Sequence, residues 1–296
     1  MLDEIADRIA GIDPRLGAAA LVLHMGNHLL RSAAWRNVIA AAYPERRVPY
    51  TRVLAGYASG VAVNALAPAR GGDAVKLGLI RAAIPGSTVT TLAATMSVLV
   101  VLDLMIGTAL VFTVGVTGAV PLDPGAGLSR VGGVLPVLAA AAAIAATAGW
   151  LLRRRVVGLG RRLRQGGAIL RTPGRYLRAV AAPQLGAWAC RVGVVLCLLA
   201  AFGLPATVPL AGLVMVVSGA STIVPLTPGG AGTQQVALAV ALSQTASAAA
   251  VVSFSLAMQA SVTAVNALLG LVAAMAVFRT ARPLNALRAA LAGARA

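Results

Sequence analysis

The sequence is interrupted twice in the same way: residues 64–76 read NALAPARGGDAVK, and residues 222–235 read TIVPLTPGGAGTQQ. Both stretches contain a proline followed by a Gly-Gly pair, and they lie about 158 residues apart. Proline removes a backbone donor, and the glycines beside it permit conformations that a helix does not use. Each stretch therefore predicts a break between two short helices.

The segments around these breaks have the composition of membrane-spanning helices. Of the 296 residues, 59% are hydrophobic and only 11% are charged, whereas roughly a quarter are charged in a soluble domain. This composition excludes a soluble globular enzyme. A helical span takes about 20 apolar residues. We predict spans at about residues 16–42, 87–116, 131–152, 179–202 and 246–278, and interrupted segments at 50–84 and 206–242.

The basic residues predict the orientation of the chain in the membrane. The net charge is +17, and residues 153–178 contain nine arginines and no acid. Residues 279–296 form a second basic segment. Basic loops stay on the cytoplasmic side. Both segments are therefore predicted to be cytoplasmic, and the charge is explained by topology and anionic lipid, with no nucleic acid as partner.

Two cytoplasmic ends require an even number of crossings between them. The spans at 179–202 and 246–278 supply two, so the broken segment between them should return to the side it entered from, as a re-entrant hairpin. The basic flanks of the first broken segment give the same result from the opposite side. Broken segments in matching places of two halves are typical of inverted-repeat transporters.

The predicted fold is an all-α polytopic protein of the inner (cytoplasmic) membrane with two inverted repeats, each containing a broken, re-entrant helical hairpin. We divide the single membrane domain 1–296 into a first repeat (1–116), a linking span with a basic cytoplasmic loop (117–178), a second repeat (179–278) and a basic cytoplasmic tail (279–296).

The first break carries charges suited to an anionic headgroup. Arg70 can form a forked contact with a phosphate, and Lys76, the only lysine in the chain, can act as a point charge. Asp73 can tether either cation, bind a cationic headgroup or bind a proton. Alternatively, all three are interfacial charges that extend to the membrane surface. The predicted substrate-binding residues here are Asn64, Pro68, Arg70, Gly71, Gly72, Asp73 and Lys76.

The second break offers only neutral hydrogen-bonding side chains. These either complete a headgroup site or satisfy the broken backbone, which must find partners at membrane depth. The predicted residues are Pro225, Thr227, Pro228, Gly229, Gly230, Gly232, Thr233, Gln234 and Gln235.

Two charged residues lie deep in apolar spans. Asp103 is near the middle of one span, and Arg191 lies about a dozen residues into another. They either form a structural ion pair or extend separately to the surface, or Asp103 is a coupling carboxylate that binds a proton during transport.

Other chemistry is not indicated by the sequence. His24 and His28 have the i, i+4 spacing of a metal chelate, but no third ligand is near in sequence, which favours packing or hydrogen bonding. No nucleophile–base arrangement or phosphate-loop motif occurs. We therefore expect no metal, no cofactor and no enzymatic activity.

The two breaks resemble motifs of the flippase-like transmembrane domain of the lysylphosphatidylglycerol synthase family. Its first motif, Pro-x-Arg-x-Gly-Glu-x-x-Arg, is matched in kind by Pro68, Arg70, Gly72, Asp73 and Lys76. Its second motif, Pro-Gly-Gly-x-Gly-x-Arg-Glu, is matched by Pro228, Gly229, Gly230 and Gly232, with Gln234 and Gln235 in place of the Arg-Glu pair. Of a third, Glu-Arg-x-x-Asp, only Asp103 is present, since Leu99 and Val100 replace the Glu and Arg.

The resemblance implies movement of lipids between leaflets. Bifunctional members of the family also carry a soluble synthase domain, for which a chain ending at Ala296 has no room. We expect a bacterial flippase for an anionic or aminoacylated phospholipid, or for a polyprenyl-phosphate-linked lipid. The alternative is a non-transporting subunit that anchors a cell-envelope glycosyltransferase or synthase through residues 153–178.

Overall fold

Helices make up nearly all of the computed structural model, which describes residues 13–66, 71–116, 160–221, 232–243 and 245–278; no strand occurs among them. The helices are α1 (Pro14–Ala42), α2 (Tyr50–Leu66), α3 (Gly72–Ala83), α4 (Val89–Val116), α5 (Gly160–Gly166), α6 (Pro173–Tyr176), α7 (Ala182–Ala201), α8 (Val208–Ser221), α9 (Thr233–Ala241) and α10 (Ala248–Phe278). A 3₁₀ turn, Ala168–Arg171, precedes α6, and a π-helical turn, Leu177–Ala181, joins α6 to α7.

Three of the described helical segments are long and apolar enough to cross a membrane. They are Val89–Leu110, Pro173–Ala201 and Ala249–Ala276, and each overlaps a span predicted from the sequence. The segment Pro173–Ala201 begins six residues before the predicted span at 179–202. A spanning helix can include basic residues near its end, because their side chains extend to the membrane surface. The 29-residue α1 has a comparable length, but His24, His28 and Arg31 lower its hydropathy. The molecule is thus an all-α multi-pass membrane protein.

Short helices flank both sequence breaks. α2 and α3 lie on either side of the first, and α8 and α9 on either side of the second. The break residues 67–70 and 222–231, the predicted span at 131–152 and the basic tail lie outside the described residues. The four short helices contain 17, 12, 14 and 9 residues, fewer than the roughly 20 needed to span a membrane.

Helix packing joins the two halves of the chain. α1 lies along α7, α2 lies along α10, and α8 contacts α4. Each short helix also packs on its partner across the break, α2 on α3 and α8 on α9. Two apolar cores result. One surrounds Trp35 and Ile80 in the first half, and the other surrounds Leu199 and Phe254 in the second half.

Glycines allow α2 to approach its neighbours at backbone distance. A Cβ atom on Gly60 would collide with the carbonyl oxygen of Gly72, and one on Gly72 would collide with the carbonyl of Gly60. On the other side of α2, a Cβ on Gly270 of α10 would collide with Ala62. Small residues at such interfaces are typical of helix packing in membranes. α2 is therefore held closely between α3 and α10.

Candidate functional site

The first hairpin places a charged pair beside the break. The Gly72 amide at the start of α3 donates to Asn64 Oδ1 on α2 (2.8 Å). Asn64 Nδ2 lies 3.4 Å from Asp73 Oδ1, and Lys76 Nζ donates to the same oxygen at 2.9 Å. Asn64 thus satisfies a free amide of the helix start and orients the carboxylate. Of the predicted residues in this region, Pro68 and Arg70 lie outside the described residues.

Lys76 is buried although it is charged. The residue is 9% exposed, and its Nζ lies 5.2 Å from the centroid of the Tyr57 ring, which is a cation–π contact. The side chain of its partner, Asp73, is 46% exposed. Of the roles that the sequence left open for Asp73, the structure shows the tether to Lys76. The exposed carboxylate edge remains available to a second partner.

Asp103 lies at the meeting point of three helices. Arg31 on α1 forms an ion pair with Asp103 Oδ2 on α4. Gln184 Nε2 and Trp188 Nε1, both in α7, donate to Asp103 Oδ1 at 2.8 Å each. One carboxylate therefore accepts hydrogen bonds from three side chains, which offsets the cost of placing a charge inside the membrane domain.

Arg191 is positioned by stacking. Its guanidinium carbon lies 4.8 Å from the centroid of the Trp188 ring, so Trp188 connects it to Asp103. The ion pair of Asp103 is formed with Arg31 instead. From the sequence, Asp103 and Arg191 were predicted to be the deep charges, and the part played by Arg31 was not predicted.

A polar stripe of His24, His28 and Arg31 runs along one face of α1, at positions i, i+4 and i+7. His24 Nε2 and His28 Nε2 each lie 2.9 Å from Asn266 Oδ1 of α10, and the two nitrogens are 3.1 Å apart. The His28 ring meets the Tyr57 ring edge-on, with centroids 5.8 Å apart. The polar stripe thus joins the first hairpin, through Tyr57, to the Arg31–Asp103 pair.

The helical spacing of the polar stripe was visible in the sequence, but its partners were not. Tyr57, Gln184, Trp188 and Asn266 come from three other segments. Nothing in a single sequence states which helix faces which. Among the described residues, no three His, Cys, Asp or Glu side chains converge in a way that could hold a metal ion.

The second hairpin uses amide side chains in place of charges. Gly232 has a positive φ of 86° before α9, a conformation that favours glycine. Its amide donates to Gln235 Oε1 (2.7 Å), and Gln235 Nε2 donates to Gln259 Oε1 of α10 (2.6 Å). Gln234 Nε2 donates to Ser218 Oγ of α8 (3.1 Å). The glutamines therefore bind α9 to both neighbouring helices, as expected of groups that satisfy a broken backbone.

Part of this hairpin also lines an open cleft of about 500 Å³. The cleft is mainly apolar and is lined by Gln235, Val236, Ala239, Val240, Ser243 and Val252. Thr233 belongs to α9. The predicted residues Pro225, Thr227, Pro228, Gly229 and Gly230 lie outside the described residues.

The fold and this interior define the class: a multi-pass helical membrane protein with an internal network of charged and hydrogen-bonding side chains. The family model for the Lysylphosphatidylglycerol synthase TM region matches residues 2–270. The chain therefore belongs to that family, as the two break motifs predicted. No curated protein and no solved structure matches the chain.

Proposed function

We propose that the protein moves a lipid with an anionic or aminoacylated headgroup between the leaflets of the bacterial inner membrane. The observation that carries this proposal is the polar stripe of α1. It continues the charged pair of the first hairpin into the interior of a protein whose surroundings are lipid. Ionisable groups in membrane segments face the bundle interior and mark substrate or ion pathways.

The Asp73–Lys76 pair suits exchange with a headgroup. A lipid phosphate can replace Asp73 as the partner of Lys76, which gives a charge-assisted hydrogen bond of similar strength. Asp73, no longer paired with Lys76, can then bind the amine of an aminoacylated headgroup through its exposed carboxylate. Arg70 lies three residues before Asp73 in the sequence and belongs to the same proposed site by its place in the motif. The apolar cleft lined by Val236, Val240 and Val252 is suited to an acyl chain.

The helix pairings support two inverted repeats with re-entrant hairpins. If α1 is matched with α7, α2 with α8, α3 with α9 and α4 with α10, the contact of α2 with α10 becomes that of α8 with α4. The α1–α7 contact maps onto itself. This is the pattern expected when two halves are related by a two-fold axis. The basic charge of residues 153–178 and 279–296 supports a cytoplasmic position for both segments.

A transport assay tests the proposal directly. Vesicles containing the purified protein and fluorescent phosphatidylglycerol are treated with an impermeant quencher, which detects probe arriving in the outer leaflet. We expect Lys76→Gln to slow this movement about tenfold, the effect of losing one charge-assisted hydrogen bond. Arg81→Gln is the matched control, because Arg81 is an exposed cation on the same helix. Wild-type vesicles no faster than protein-free vesicles would refute transport.

The alternative function, anchoring an envelope-biosynthesis enzyme without transport, is favoured by the exposed arginines of α5. Arg161, Arg162 and Arg164 are all exposed on this short helix. Changing all three to glutamine should then release a co-purifying glycosyltransferase or synthase. The transport proposal instead predicts that this triple variant moves lipid in vesicles at the wild-type rate.

A further inference from the structure

Three hydrogen-bonding atoms converge between α1 and α10. His24 Nε2, His28 Nε2 and Asn266 Oδ1 form a triangle with sides of 2.9, 2.9 and 3.1 Å. His28 and Asn266 are 4% and 8% exposed, so this triangle lies inside the helix bundle. The two rings are also oriented edge to face, 87° apart.

Hydrogen bonds alone leave one side of this triangle without a hydrogen bond. A neutral imidazole carries one proton, so each Nε2 either donates or accepts. If both nitrogens donate to Asn266 Oδ1, both N–H groups are satisfied, but the two nitrogens lie 3.1 Å apart with no proton between them. If one nitrogen donates to the other, the second has no proton left for Oδ1, and two lone pairs face each other at 2.9 Å. If the side-chain amide of Asn266 is turned so that its nitrogen faces the histidines, one pair of atoms still meets without a hydrogen bond.

A cation resolves the conflict, because it accepts a lone pair from all three atoms at once. We propose that His24, His28 and Asn266 bind a divalent first-row transition metal ion of the class that imidazole prefers, such as Zn²⁺. Ligands about 2.0–2.1 Å from a tetrahedral zinc lie roughly 3.3 Å apart, close to the sides of the triangle. The i, i+4 histidines form the chelate, and α10 supplies the third ligand that the sequence could not show.

Three cations lie around the triangle, and two of them are paired with carboxylates. Lys76 reaches this region through Tyr57, and its charge is paired with Asp73. Arg31, one turn further along α1, is paired with Asp103. Arg191 is the remaining nearby cation among the described residues, and it is stacked on Trp188. A metal ion here would link α1 of the first half to α10 of the second half.

The experiment is a Co²⁺ titration of the full-length protein purified without a histidine tag. His24 and His28 are the only histidines in the chain, so an imidazole signal belongs to this triangle. We expect one equivalent of Co²⁺ with the visible absorption of a tetrahedral site, displaced by Zn²⁺. His28→Gln should weaken binding by more than about tenfold. Cys190→Ser is the control, because it removes a half-buried thiol on the α7 face next to Gly26 and should leave binding unchanged.

A second variant keeps the proposal testable if His28→Gln does not fold. Asn266→Asp replaces a neutral oxygen ligand with an anionic one, which should tighten Co²⁺ binding at least about threefold. A role in packing alone predicts no gain. Equal Co²⁺ binding by the wild type, His28→Gln and Asn266→Asp would overturn the proposal. Because the readout is metal binding, this result does not depend on whether the protein transports lipid.

Discussion

The two hairpins satisfy their broken ends with different chemistry. In the α2–α3 hairpin, Asn64 binds the first amide of α3, and a buried lysine is paired with a half-exposed carboxylate. In the α8–α9 hairpin, Gln234 and Gln235 bind α9 to α8 and α10. Buried amides with satisfied partners fix a structure, whereas an ion pair with an exposed edge can exchange partners. The comparison therefore favours the first hairpin as the place of headgroup binding and the second as a structural joint.

The largest effect on stability is expected at the Arg31–Asp103 ion pair, where the charged network of the first half reaches α4. Asp103→Asn leaves Arg31 without its counter-charge inside the bundle, which should destabilise the protein by about 3–5 kcal/mol. The melting temperature in detergent measures this. Adding Arg31→Gln to Asp103→Asn should recover part of the loss, because the unpaired charge is removed. A double variant less stable than Asp103→Asn alone would contradict the ion-pair interpretation.

The next effect compares the same substitution in the two hairpins. Gly60→Ala places a methyl group against the Gly72 carbonyl and the Lys76 side chain, so it should cost about 1–3 kcal/mol through overpacking. Gly219→Ala on α8 has open space around the new methyl group and should be neutral or stabilising by up to about 1 kcal/mol. Thermal unfolding of both variants checks this. Equal losses would show that close backbone approach is not specific to the first hairpin.

A smaller effect is expected from the amides of the second hairpin. Gln235→Ala removes the hydrogen bonds to the Gly232 amide and to Gln259 and should cost about 1–2 kcal/mol of stability. If this hairpin is a structural joint, the lipid transport rate of the folded fraction should stay near the wild-type value. A loss of transport with unchanged stability would move the headgroup site toward the second hairpin.

The smallest effect concerns headgroup selectivity. Asp73 is half exposed, so its contact with a bound amine should be worth only about 0.5–1 kcal/mol, as for exposed ion pairs. Asp73→Asn should therefore lower the transport of lysyl-phosphatidylglycerol relative to phosphatidylglycerol by about two- to fivefold. The ratio is measured in the same vesicles. An unchanged ratio would mean that Asp73 serves only to hold Lys76.

The sequence predicted the helices better than their contacts. The three long apolar helices follow directly from length and composition, and Pro and Gly located the ends of α2, α3, α8 and α9. These are local properties. The partners of the polar stripe were missed because they are remote in sequence. Asn266 is 242 residues from His24, and Asp103 is 72 residues from Arg31. Periodicity shows which face of a helix is polar but not what that face meets.

In the candidate site, too, local contacts were predicted and contacts between remote segments were not. Asn64, Gly72, Asp73 and Lys76 lie within one hairpin, and the structure brings them together as their spacing suggested. For the charges across spans, an ion pair of Asp103 with Arg191 was one of the alternatives that the sequence left open. Asp103 does take part in an ion pair, but Arg191 is separated from it by Trp188. Tyr57 was not predicted, because the sequence alone does not distinguish an aromatic residue that packs in the core from one that contacts a cation.

The glycine contacts around α2 also determine which parts of the protein can move. At Gly60, Gly72 and Gly270 the helix backbones approach so closely that the helices have little room to slide, so α2, α3 and α10 should move as one rigid body. Along the α1–α7 interface, leucine side chains instead rest on Gly186 and Gly193. Flexible side chains over a smooth helix surface permit small sliding displacements. We therefore expect any opening and closing of this protein to take place by shear between α1 and α7.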